Sequence, residues 1–216
     1  MITILPSTSP QSDLSKVQER FDLASEIDRI HVDFVDGVFA DNTTIEPQEI
    51  VDLQTNSKLD FHLMVDKPVT WLQKCKDGGA DRVISQIEMM IDVDAYMDVS
   101  KDVIGMVGLA IDVDTSVAEL LDHSLERVDI MLMMSVKAGF GGQSFHPLAL
   151  KKIDKIVNIR EKHNYKFTIG VDGGVTTDNI KSIVDAGADE VSIGNRLFDG
   201  DLAGNIQKYL KAAYGK

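Results

Sequence analysis

Short apolar runs alternate with longer amphipathic stretches along the whole chain. The runs Ile2–Leu5, Arg29–Asp33, Lys58–Met64, Arg82–Gln86, Met106–Ile111, Ile130–Val136, Thr168–Asp172 and Glu190–Ile193 have strand length and are bounded by turn-forming residues. Between them, apolar residues recur at helical spacing over Leu14–Ala24, Val69–Asp77, Ser116–His123, Pro147–Asn164, Asp178–Asp185 and Ala203–Ala213, and more weakly over Pro47–Gln54 and Val93–Ser100. Eight strands, each followed by a helix, predict a parallel sheet of the α/β class. Eight such units predict closure into a (β/α)8 (TIM) barrel, with residues 1–216 forming a single domain.

An internal echo supports closure. Asp77-Gly78-Gly79-Ala80-Asp81-Arg82-Val83-Ile84-Ser85 resembles Asp185-Ala186-Gly187-Ala188-Asp189-Glu190-Val191-Ser192-Ile193, at a spacing of 108 residues in a chain of 216. Half the chain is four βα units, as a half-barrel repeat would produce, although the same residues also make an ordinary helix-to-strand turn with a glycine cap.

Composition narrows the function. Hydrophobic residues at 44% and charged residues at 26% exclude a disordered or fibrous chain. A formal charge of −13 leaves no basic stripe to neutralise a nucleic-acid backbone, so no nucleic-acid partner is expected. A small anion is still admissible, because helix N-termini, backbone amides and a cation attract one phosphate locally. Cys75 is alone, which rules out an internal disulfide, suits a reducing compartment, and within a helical stretch predicts a packing role. Met1–Pro6 is too short and lacks the basic flank of a signal peptide, and no stretch reaches membrane-spanning length. A cytoplasmic protein without a membrane partner is expected.

Barrel active sites lie at the C-terminal ends of the strands, so the polar residues ending the strands carry the chemistry. The second strand ends His31-Val32-Asp33, and its alternation turns Ile30 and Val32 toward the helices and His31 and Asp33 inward. In Asp60-Phe61-His62-Leu63-Met64, His62 and Met64 share a face, and the seventh strand stops at Asp172. Taken singly, a strand histidine usually packs and a strand-end aspartate usually caps the next helix. Together, two imidazoles and two carboxylates from three strands predict a site for a borderline divalent cation such as Zn, Fe, Mn or Co. Glycine-bearing loops follow the last three strands, at Gly139-Phe140-Gly141-Gly142-Gln143, Asp172-Gly173-Gly174-Val175 and Gly194-Asn195. Such loops let backbone N–H groups approach an anion, and Thr176-Thr177-Asp178 offers N-cap residues for a helix start nearby.

The stretches Pro6-Ser7, HVDFVDGVF (His31–Phe39), LDFHLMV (Leu59–Val65), GFGGQSF (Gly139–Phe145) and VDGGV (Val171–Val175) resemble, in order and spacing, the ribulose-phosphate 3-epimerase family over essentially the whole chain. The resemblance implies that His31, Asp33, His62 and Asp172 bind a divalent metal, with Asp33 and Asp172 also serving as the acid/base pair. It implies substrate contacts from Ser7 and His62, and a phosphate site lined by Gly139, Phe140, Gly141, Gly142, Gly173, Gly174, Gly194 and Asn195. Met64 and Met134 match methionines that would shield the reaction from water. It further implies a sugar phosphate as partner and a homo-oligomer, dimer or hexamer.

The expected reaction is epimerisation at C3 of D-ribulose 5-phosphate to D-xylulose 5-phosphate in the pentose phosphate pathway. The alternatives are a 3-epimerase of allulose 6-phosphate and a catalytically silent sugar-phosphate-binding barrel. Barrel decarboxylases and aldol-type synthases usually carry Asp-x-Lys-x-x-Asp on the third strand, and here that strand has no lysine after Asp60. Five places depart from the family pattern. Val35 stands for a methionine, Gln86 for a histidine, and Asp112-Val113 for Asn-Pro; Lys137-Ala138 stands for Asn-Pro or Glu-Pro, and Asn195 for serine. All surround the sugar, and none removes a proposed ligand.

Overall fold

The computed structural model describes residues 1–120 and 122–215, the side chains of 122 and 123 excepted. Eight strands, β1 (Thr3–Pro6), β2 (Arg29–Val35), β3 (Lys58–Met64), β4 (Arg82–Gln86), β5 (Met106–Ile111), β6 (Ile130–Met134), β7 (Thr168–Asp172) and β8 (Glu190–Ile193), pair in parallel. They are ordered β1-β8-β7-β6-β5-β4-β3-β2. The remaining seam, between β1 and β2, is closed just past the end of β1, by a parallel bridge between Ser7 and His31 and by the Thr8 N–H donating to the His31 carbonyl at 2.9 Å. The fold is therefore a (β/α)8 barrel, as the repeating pattern predicts.

Around it lie α1 (Leu14–Leu23), α2 (Leu72–Asp77), α3 (Val93–Val103), α4 (Asp122–Leu125), α5 (Leu148–His163), α6 (Ile180–Asp185) and α7 (Leu202–Tyr214). Aspartates start three of them: Asp13, Asp92 and Asp201 accept from the backbone N–H of Ser15, Ala95 and Gly204. Asn164 and Gly215 end α5 and α7 in the left-handed conformation, which relieves the last carbonyls.

Several predicted elements are corrected. The Pro47–Gln54 stretch makes only a 3-10 turn, Pro47–Asp52, because Leu53 is already extended after six residues. The first turn of the Val69–Asp77 helix is likewise 3-10 (Pro68–Trp71). Ser116–His123 divides into a 3-10 turn, Val117–Glu119, closed by a Ser116–Glu119 capping box, and the short α4. Residue 121 of that predicted helix lies outside the described residues. β2 runs two residues further than expected, to Val35, because its ladder with β3 continues through Phe34–Leu63 and Val35–Met64, with the Thr44 hydroxyl accepting from the Val35 N–H at 2.9 Å. β6 stops two residues short of Val136, where the Ser135 hydroxyl turns to the carbonyl of Asp172 at 2.9 Å. Thr176-Thr177-Asp178 does not cap α6; Asn179 precedes that helix and folds back, its side-chain oxygen accepting from the Thr176 N–H at 2.8 Å.

Strand alternation sorts the core into two parts. Ile30, Val32 and Phe34 face outward and join Val17 and Phe21 of α1 in the layer between barrel and helices. Val35, Met64, Ile84, Ile130, Leu132 and Met134 face inward and fill the barrel. Each such fully buried side chain contributes about 1.5–3 kcal/mol. Cys75 is buried in the outer layer, and burial pushes its thiol up to about 12, which suits packing rather than reactivity.

The floor of the barrel is ionic, which alternation alone does not announce. The Arg82 guanidinium donates to Asp60 and, at 2.6 Å, to Glu190, while Arg29 donates to Asp60 from the rim. Arg82 and Glu190 are the corresponding positions of the two echoed segments, and they meet across the barrel from β4 and β8. No helix among the described residues is long and apolar enough to cross a membrane.

Candidate active site

The four strand-end residues converge. Ligand atoms of His31, Asp33, His62 and Asp172 all lie within 4.8 Å of one another. His62 Nδ1 is 2.9 Å from Asp33 Oδ1 and 3.8 Å from Asp172 Oδ2, and His31 Nε2 is 3.2 Å from Asp33 Oδ1. The register explains the meeting: Asp33 sits directly opposite His62 across the β2–β3 ladder, and His31 opposite Asp60 one pleat lower. Ser7, where the barrel closes, donates from its hydroxyl to Asp33 Oδ2 at 2.8 Å and accepts from the Ser9 N–H at 2.9 Å.

The electrostatics separate the two carboxylates. Burial by itself would raise Asp33, but the flanking His31 and His62 hold it well below the usual carboxylate range. Burial first, and then the charge of Asp33, push Asp172 up to about 6. Burial opposes a charge on His31, yet Asp33 outweighs it and lifts the imidazole to about 9. Opposed shifts in neighbouring carboxyls are what an acid and a base sharing one site require.

The residues fit a divalent cation. Ligand atoms about 2.1 Å from a common centre in a tetrahedral array stand about 3.4 Å apart, and the observed 2.9 Å, 3.2 Å and 3.8 Å separations bracket that value. Two imidazole nitrogens with carboxylate oxygens suit a borderline metal better than an all-oxygen hard one.

Above the cluster opens a cleft with about 640 Å³ of empty space. Asp33 and Asp172 line it together with Ser7, Met64 and Met134, whereas His31 and His62 lie beneath the surface. All three glycine loops reach the cleft, contributing Gly139, Phe140, Gly141, Gly142, Gly173, Gly174, Gly194 and Asn195. Gly174 has a φ of +60°, and a Cβ there would stand 2.3 Å from the backbone nitrogen of Phe145, so the loop admits only glycine. Gly139 serves as a brace, its N–H directed at the Met64 sulfur at 3.0 Å and its carbonyl accepting from Asn42 at 2.7 Å.

The profile of the "Ribulose-phosphate 3 epimerase family" matches residues 4–198. The chain belongs to the ribulose-phosphate 3-epimerase family. Membership in this family makes it an enzyme, an epimerase. It is 33% identical over 181 residues to the ribulose-phosphate 3-epimerase of Escherichia coli K12, covering 82% of this chain and 80% of that one. It is 31% identical over 175 residues to the ribulose-phosphate 3-epimerase of Treponema pallidum, covering 80% of each. Among solved structures, KGPDC from Streptococcus mutans superposes with a TM-score of 0.68 at 11% identity, over 99% of this chain and 97% of that one. That likeness concerns the barrel alone.

Against the family pattern, the departures resolve into distinct roles. Lys137 is exposed and does not line the cleft, its carbonyl accepting from the Gln143 side chain at 2.6 Å. Asp112 fastens the loop after β6, its carboxylate accepting from the Ala138 N–H at 3.1 Å. Asn195 is held by a residue that sequence reasoning passes over: Arg20 of α1 donates to the Asn195 side-chain oxygen and, at 3.0 Å, to the Ser7 carbonyl. Its guanidinium also lies 5.0 Å from the centroid of the Phe198 ring. No sequence signal marks Arg20, since a long side chain on an amphipathic helix is usually solvated. Gln86 comes to lie against His62, at 3.1 Å. Its signal was legible as the polar end of the inward series Arg82, Ile84, Gln86.

Proposed function

We propose that this chain interconverts D-ribulose 5-phosphate and D-xylulose 5-phosphate by epimerisation at C3, with Asp33 and Asp172 as the proton carriers. The observation that carries this reading is the pair of carboxylates, Asp33 of β2 buried and Asp172 of β7 half-buried, lining one cleft with their proton affinities driven apart.

The C3 proton lies α to the C2 carbonyl and must leave from one face and return on the other. An ionised Asp33 suits removal, and an Asp172 that keeps its proton up to about pH 6 suits delivery, with the roles exchanged in the reverse direction. A divalent metal, when held by His31, Asp33, His62 and Asp172, supplies positive charge that offsets several kcal/mol of the negative charge developing on the sugar. The Ser7 hydroxyl orients Asp33, so that one carboxylate oxygen is held toward Ser7 and the other toward the imidazoles. Met64 and Met134 present apolar walls that keep water from the deprotonated carbon. The backbone of the three glycine loops, with Asn195, receives the phosphate. Zn, Fe, Mn and Co are the candidate ions. The lone buried Cys75 suits a reducing cytoplasm, and the protein is taken to act as a homo-oligomer, a dimer or hexamer.

The test is turnover in D₂O with D-ribulose 5-phosphate beside D-allulose 6-phosphate. Deuterium is expected at C3 with the higher kcat/KM on the pentulose; no incorporation from either sugar would leave only a binding protein.

Metal binding carries its own pH signature. In protein stripped with a chelator, His31 keeps a proton up to about pH 9 and Asp172 up to about pH 6. Ligation displaces the His31 proton, so affinity rises with pH from 6 to 9. Calorimetry at pH 7.5 in buffers of different ionisation enthalpy should register the release of about one proton per ion. An affinity that is flat from pH 6 to 9 would refute the ligand set.

A further inference from the structure

Gln86 ends β4 on its inward face, one strand beyond His62, and is fully buried. Its amide nitrogen lies 3.1 Å from His62 Nε2, while its side-chain oxygen is buried without a hydrogen-bond partner among the described residues. The other imidazole nitrogen, Nδ1, faces Asp33 Oδ1 at 2.9 Å and Asp172 Oδ2 at 3.8 Å. One nitrogen of His62 therefore belongs to the carboxylate cluster, and Gln86 attends the other.

A neutral imidazole carries one donor and one acceptor, so the two nitrogens are linked. With the Gln86 –NH₂ toward His62, Nε2 accepts and Nδ1–H donates to Asp33; in that arrangement Nδ1 has no lone pair for an ion. A half-turn of the amide about its last torsion places the oxygen where the nitrogen was. As Nδ1 gives up its proton to solvent and Nε2 takes one up, Nε2–H donates to that oxygen and the Nδ1 lone pair is released toward the cluster. The amide has nearly the same shape in both orientations, so the exchange needs no repacking.

We infer that Gln86 is the positioning residue for the metal-binding imidazole: its amide turns over to switch His62 from the Nδ1–H form to the Nε2–H form as an ion takes Nδ1. The inference rests on the metal reading given under Proposed function. It assigns Gln86 a role that an aliphatic residue cannot fill, because an amide can present either a donor or an acceptor within one volume. A glutamate would accept permanently, favouring the metal-ready form. A methionine of similar shape would do neither.

The experiment titrates Co²⁺ and Zn²⁺ into chelator-stripped full-length protein, comparing wild type, Gln86→Met and Gln86→Glu, with metal-loaded wild type also followed by ¹⁵N NMR of its imidazoles. Gln86→Met is expected to weaken Co²⁺ binding by about 10- to 100-fold, and Gln86→Glu to bind at least as tightly as wild type. In the Zn²⁺-loaded wild type, the protonated nitrogen of His62 is expected to be Nε2. Binding by Gln86→Met within twofold of wild type, at an unchanged melting temperature, would reduce Gln86 to packing. A Zn²⁺-loaded His62 protonated at Nδ1 would overturn the inference without recourse to any variant. Wild-type protein that takes up neither ion would strike down the metal reading itself, and this inference with it.

Discussion

Asp172→Asn and Asp33→Asn are each expected to lower kcat for C3 epimerisation by more than about 100-fold, the usual scale of a lost general acid or base. Asparagine preserves the shape of the side chain but can neither take up nor release the proton. The two variants should differ in what else they lose. Asp33 accepts from Ser7 and meets both His31 and His62, so its amide counterpart disturbs three partners at once. Asp172 has a single imidazole contact among the described residues, the 3.8 Å approach to His62, and its replacement should leave more of the metal in place. Metal content measured beside kcat separates ligation from proton transfer. A finer readout is solvent exchange at C3. With one carboxylate left, each variant should still exchange the proton on the face that its surviving aspartate serves, and lose it on the other. Exchange from both epimers at the wild-type rate in either variant would remove that aspartate from the proton path.

Arg82→Met is expected to be the most damaging single change to stability. Arg82 is 4% exposed and stands between Asp60, which is fully buried, and Glu190. Methionine fills much of the volume but strands the two carboxylates, one of which keeps only its rim contact with Arg29. Breaking a buried pair from one side costs about 3–5 kcal/mol, chiefly because the remaining charge has no solvent. For a domain of this size that corresponds to a fall in Tm of about 6–20 °C. A triple replacement of Arg82, Asp60 and Glu190 by apolar residues should recover most of the loss, since then no charge is left behind. A Tm within 2 °C of wild type for Arg82→Met, measured at about 1 kcal/mol sensitivity, would show that water reaches the floor and screens it.

The barrel and the convergence of the candidate site residues were legible because both follow from short-range rules. Apolar alternation placed His31 and Asp33 on the inner face of β2, and the same alternation placed His62 and Met64 together on β3; the observed register agrees with both. The glycine loops were recognisable because few residues accept the backbone they need, as Gly174 illustrates. Element ends were less legible. β2 gains two residues because its ladder with β3 continues to Val35–Met64 with Thr44 returning on the other side, and Asn179 folds back on Thr176 and Gly174 ahead of α6.

By itself, then, the sequence determined the class of fold, the family and the four residues that cluster at the strand ends, since periodicity and motif spacing are properties of the chain taken in order. The tertiary structure alone decided which groups face one another across the barrel. Gln86 against His62, Arg20 against Asn195, and Arg82 against Asp60 and Glu190 join residues 24, 175, 22 and 108 positions apart. Pairing of β3 with β4 sets Gln86 against His62 and Arg82 against Asp60, and closure of the barrel sets the other two; none follows from neighbours in sequence. Burial then makes those partners obligatory, because a polar atom removed from water must be satisfied by whatever the fold places beside it.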